Sequence, residues 1–197
     1  EIFARLQYFL ERVIPVAEEH KVQMACHLPD PPAAILRGED RWNYPVFDGL
    51  KRFSELVDSP YHGFNFCCGV ASEGLDDPAK ELPPIVEYFS ERKKIFNVHF
   101  RNIRGGLNDF VEVWPDEGDV DMHEIARIFH RTGYPYMLMP DHAGERYPTW
   151  LWRRRAACGC CARDAFLRRE DQRGKVGELY TASGGESKGP PSGVVAP

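Results

Sequence analysis

Four short apolar segments, KVQMACHL at 21–28, GFNFCCG at 63–69, IFNVHFR at 95–101 and YMLMP at 136–140, alternate with stretches of helical spacing. That alternation limits the fold more than any other feature. Strands separated by helices pair in parallel through crossover connections. Near-continuous apolar strands belong in a sheet covered on both faces. The first helix is expected over Glu1–His20, with Ile2, Leu6, Phe9, Leu10, Val13, Val16 and Ala17 on its apolar side and Pro15 as a local kink. Further helices are expected over Trp42–Val57, Pro83–Ser90 and Asp119–Arg131, the last capped by Asp119 or Asp121 and stopped by Gly133.

About four βα units result. A closed (β/α)₈ barrel needs eight, and usually about 250 residues. The expected class is therefore α/β: a partial (β/α)₈ TIM-type barrel, or a small open sheet, with an irregular C-terminal tail. The barrel-like domain is expected over 1–149. From Trp150 the period is lost: WLWRRRAACGCCARD leads into a Gly/Ser/Pro-rich end, so 150–197 reads as a divergent, flexible tail. The chain opens on Glu1 instead of an initiator Met, which reads as a start within a longer protein.

Charge sorts the two regions. Residues 151–197 carry nine Lys+Arg against five Asp+Glu, so the first 150 carry a net −9 of the chain's −5. An acidic body does not suit nucleic acid, which needs clustered cations. No apolar run reaches the roughly 18 residues of a membrane helix. The charged N-terminus is no secretory signal. Cys26, Cys67, Cys68, Cys158, Cys160 and Cys161 therefore read as reduced thiols of a cytoplasmic protein, not as a disulfide framework.

Each of the four strands ends on a residue able to ligate a metal: His27, Cys67, His99 and Asp141, spaced by 40, 32 and 42 residues. In a parallel sheet, residues at the C-terminal ends of successive strands converge on one mouth. A His, Cys, His, Asp set is intermediate in softness and suits zinc, iron(II), manganese or cobalt. Strand alternation turns Cys26 away from the mouth if His27 faces it, and separates Cys67 from Cys68 in the same way. The remaining histidines, His20, His62, His123 and His130, read as solvated. Beside the ligands, Arg101 has the geometry to clamp a carboxylate and His142 the chemistry for proton transfer near neutral pH. A GxxxxGK[ST] phosphate loop and a GxSxG elbow are both missing.

The run RLQYFLERVIPVAEEHKVQMACHLPDPP, the strands GFNFCCG and NVHFRNIR, and GDVDM followed by a helix and MPDH together resemble the mannonate dehydratases. The resemblance covers about residues 2–149. It implies part of a (β/α)₈ barrel acting in hexuronate breakdown, dehydrating D-mannonate to 2-dehydro-3-deoxy-D-gluconate with Mn²⁺ or Fe²⁺. By matching position it implies His27, Cys67, His99 and Asp141 as metal ligands, with His142 and Arg101 as catalytic residues on a small sugar-acid substrate. It also implies that the family's N-terminal half-barrel must come from elsewhere, a homo-oligomer or a missing segment. The loss of family pattern near Thr149 reads as a frame change or fusion junction. Two other readings stand beside it: a non-catalytic fragment or partner-requiring subunit, and a related sugar isomerase on the same scaffold.

Overall fold

In a computed structural model, residues 1–141 are described. They form a parallel sheet wrapped by helices, in the order α1 (Ile2–Glu19), β1 (Met24–His27), β2 (Ile35–Leu36), β3 (Glu39–Asp40), α2 (Val46–Ser54), β4 (His62–Cys67), α3 (Cys68–Glu73), α4 (Pro78–Glu91), β5 (Ile95–His99), β6 (Asn102–Gly106), β7 (Asp109–Val113), α5 (Met122–Arg131) and β8 (Leu138–Met139). The main sheet runs β1-β4-β5-β8, every pair parallel, so each strand lies beside the next one of its sheet along the chain. This is the partial α/β barrel expected from the alternation. The tail from Trp150, with its cysteines, and His142 lie outside the described residues. No described helix is long and apolar enough to cross a membrane.

Helix α1 buries Leu10, Ile14 and Ala17 while Phe9 and Val16 stay exposed, so its core stripe is narrower than the expected apolar set. Pro15 sits inside this helix on its exposed side, where the carbonyl it leaves unbonded can be hydrated. The expected Pro83 start of α4 is five residues late. Pro78 holds the first turn, where a missing N–H costs nothing, and the Glu81 carboxylate, one turn on, accepts the Asp77 N–H at 2.6 Å. In α5 the cap is Asp121, whose Oδ1 accepts from the N–H groups of His123 and Glu124. Gly133 follows at φ +67°, a left-handed stop.

Between sheet and helices lies an aromatic core. Phe53, Phe64, Phe66 and Phe89 are fully buried, and Trp42 stacks on Phe53 at 4.3 Å between centroids. Phe64 and Phe66 alternate with Asn65, so the strand gives its phenylalanines to the helix side and its asparagine to the other face. His62, expected in solvent, is buried at the start of β4, with Nε2 at 2.9 Å from the Phe53 carbonyl. Cys68, expected in the strand, begins α3 and is fully buried.

Candidate metal centre

The sheet register aligns the C-terminal ends of the strands. His27 is paired with Asn65, Asn65 with Asn97, and Cys67 with His99. One ligand atom each of His27, Cys67 and His99 lies within 4.8 Å of the others. His27 Nε2 is 3.2 Å from His99 Nδ1, and Asp141 Oδ2 is 3.3 Å from that same nitrogen. Donor atoms around a small cation, bound at roughly 2.0–2.3 Å, sit about 3 to 4.6 Å apart. His27, Cys67 and His99 therefore fit one ion in both spacing and chemistry, with Asp141 beside His99. His27 is exposed and Cys67 buried, which leaves the cluster open to solvent on the β1 side.

Local structure sets each side chain. His27 Nδ1 lies 2.7 Å from the Leu28 carbonyl and donates to it, leaving the Nε2 lone pair for the cluster. Metal-binding histidines are oriented in this way. Cys26 packs toward the core, as alternation required, and burial pushes its thiol up to about 11. Cys67 is the N-cap of α3, its Sγ accepting from Val70 N–H at 3.4 Å. Burial pushes this thiol up to about 11 as well, against the opposing pull of the Val70 N–H and Arg101. Asp141 is at φ +60°, a left-handed conformation uncommon for a residue with a side chain.

Arg101 is placed differently from the expectation. Its side chain is 2% exposed and is held by two carboxylates: Nη1 donates to Glu73 Oε1 at 2.8 Å, and Nη2 to Glu112 Oε1 at 2.7 Å. A group committed to two internal partners is not free to clamp a substrate carboxylate; here it ties α3 to the β6–β7 hairpin. Sequence reasoning missed both glutamates. Glu73 lies in a helix too short to show a period, and Glu112 in a hairpin whose turn signal, Gly105-Gly106-Leu107-Asn108, was there to be read.

Burial and the neighbouring Asp30 carboxylate push the Glu73 carboxyl up to about 7, with Arg101 opposing. The folded chain thus retains a proton that the unfolded chain releases near its ordinary value. This group's penalty on the fold is absent below about pH 4.5, grows through the interval and is complete above about 7. Glu73→Gln mimics the protonated form, so urea unfolding of the variant should lack this loss between pH 5 and 8. Parallel stability profiles for the two proteins would overturn the assignment.

A sequence model of the family described as D-mannonate dehydratase (UxuA) matches residues 1–159, running past Thr149. A mannonate dehydratase of Thermotoga petrophila is 36% identical over 149 residues, covering 72% of this chain and 39% of the relative. One from Enterococcus faecalis is 40% identical over 145 residues, with the same two coverages. The crystal structure of mannonate dehydratase from Streptococcus suis serotype 2 superposes with a TM-score of 0.70 at 28% identity, covering 87% of this chain and 50% of that one. The chain spans about two-fifths of the length of the curated relatives it matches. With four parallel strands in its main sheet and a family match over most of its length, the chain belongs to the D-mannonate dehydratase family.

Proposed function

We propose that this chain carries the metal-binding part of an enzyme that dehydrates D-mannonate to 2-dehydro-3-deoxy-D-gluconate, in the cytoplasm. The observation that carries the reading is the convergence of His27, Cys67 and His99 within 4.8 Å, beside Asp141, in a chain of this family. His27, Cys67, His99 and Asp141 would hold Mn²⁺ or Fe²⁺. The ion supplies a Lewis acid for the negative charge that develops beside the substrate carboxylate as the C2 proton leaves.

The rest of the chemistry belongs to side chains. Dehydration breaks the C2–H bond and the C3–O bond, releases water and leaves an enol that becomes the 2-oxo acid. One group must accept the C2 proton and another must protonate the departing hydroxyl. His142, adjacent to Asp141, is assigned to one of these transfers. The exposed His27 marks the side from which a sugar acid reaches the cluster.

The test is manganese uptake by the full chain under anaerobic conditions, followed by formation of a 2-oxo acid from D-mannonate. About one ion per chain is expected, lost in Cys67→Ala and His99→Ala. His142→Asn should retain the ion and lose at least ~10²-fold in turnover. Unchanged turnover would remove His142 from the mechanism. Ion binding without turnover would favour the second reading, a metal-binding unit whose substrate contacts lie in a partner; the 39% coverage of the relatives is what favours it.

A further inference from the structure

Two asparagines lie directly beneath the cluster, on the same face of the two central strands. Asn97 Nδ2 donates to Asn65 Oδ1 at 2.9 Å, and Asn65 Nδ2 points at His99 Nε2 at 3.1 Å. The register sets this up, because Asn65 is the neighbour of both His27 on β1 and Asn97 on β5. Asparagine is a poor strand former. Two in adjacent central strands, hydrogen-bonded in series to a candidate ligand, call for a reason beyond packing.

We propose that Asn65 and Asn97 form a reversible hydrogen-bond relay that sets the tautomer of His99, and that capture of a cation reverses its direction. The proposal rests on the metal reading of the site. In the direction seen here, His99 Nε2 accepts from Asn65, so the ring proton lies on Nδ1, which faces His27 Nε2 at 3.2 Å and Asp141 Oδ2 at 3.3 Å. A neutral imidazole has one donor and one acceptor nitrogen. For Nδ1 to offer its lone pair to an ion, the proton must sit on Nε2, and that N–H then needs an acceptor. A half-turn of each amide provides it: Asn65 Oδ1 accepts from His99 Nε2–H, and Asn65 Nδ2 donates to Asn97 Oδ1. The exchange leaves the shape of both side chains unchanged. One proton leaves Nδ1 for solvent and one returns to Nε2, so the ring stays neutral throughout.

The relay and a merely structural role order the variants in opposite ways. Asn65→Asp supplies an acceptor only, which fixes His99 in the ligating tautomer. Asn65→Leu keeps the bulk and removes the acceptor. If the pair only packs, the half-buried Leu is the milder change and the buried charge the harsher one. If the relay acts, Asn65→Leu weakens manganese binding by roughly 10–100-fold, and Asn65→Asp stays within about threefold of the parent. The probe is Mn²⁺ titrated into the full chain, with thermal unfolding of the ion-free proteins as a separate reading. Nitrogen NMR of the histidines adds a signature that packing would not move: Nδ1–H on His99 without metal, Nε2–H after addition of Zn²⁺. Should Asn65→Leu fail to fold, Asn97→Leu is read in its place, with a smaller loss of the same sign. Equal manganese affinity in the parent and the Leu variant, or an unchanged tautomer on Zn²⁺ addition, overturns the relay and leaves the metal site standing. A parent chain that takes up no ion overturns the site, and the relay with it.

Discussion

Replacing Arg101 by methionine is expected to destabilise the fold by about 3–5 kcal/mol at pH 8, the usual result of removing one partner from a buried ion pair. Arg101 and Glu73 are both almost wholly buried, 2% and 0% exposed at their side chains. Without the guanidinium, the Glu73 carboxylate faces Asp30 with no compensating cation. The cost should shrink at pH 5, where Glu73 takes up a proton and sheds the charge. Urea unfolding at both pH values measures this. A second variant tests the origin of the loss: Arg101→Met combined with Glu73→Leu and Glu112→Leu removes every charge of the triad and should recover part of the stability. A loss in Arg101→Met that is the same at pH 5 and pH 8, and that the triple variant does not reduce, would mean the side chain acts by packing alone, over Gly69 and Phe110.

Phe89→Ala should cost a similar amount, about 3–5 kcal/mol. Its ring is fully buried on α4 and meets Phe64 at 5.2 Å and Phe66 at 6.5 Å between centroids, with Tyr88 at 5.0 Å and Phe47 at 6.2 Å. These contacts press α4 against β4, the strand that carries Asn65 and Cys67 on its other face. Truncation leaves a cavity that ring packing on several sides cannot easily close. Chemical denaturation reads the loss directly, and a change below about 1 kcal/mol would show that the core collapses into the space.

The parts of this molecule that were legible beforehand are those where periodicity and position coincide. Four apolar runs, each followed by helical spacing, mark the strands, and a parallel sheet must then bring His27, Cys67 and His99 to one end. The parts that were not legible depend on partners distant in sequence. His62 reads as solvated until Phe53 is known to lie over it. Arg101 reads as a free clamp until Glu73, 28 residues earlier, is found against it. The Asn65–Asn97 contact spans 32 residues and shows only once the register is fixed. In α4 the prolines misled for another reason: they mark a boundary in most sequences, yet Pro83 and Pro84 lie inside this helix, and only Pro78 holds the first-turn position where an N–H is not required.

The shortness of β8 has a consequence for how the cluster behaves in time. That strand offers two residues, paired at Val98 with Leu138 and at His99 with Met139, whereas β4 and β5 are longer and lie inside the sheet. Segments held by so few backbone bonds exchange their amide hydrogens through small local openings, far below the free energy of global unfolding. Asp141 comes two residues after this strand, so its placement depends on a two-residue strand end. In the proposed metal site, His27, Cys67 and His99 would form the platform and Asp141 the latch. If the proposed metal site holds, manganese addition should raise amide protection at Leu138 and Met139, which hydrogen exchange would read.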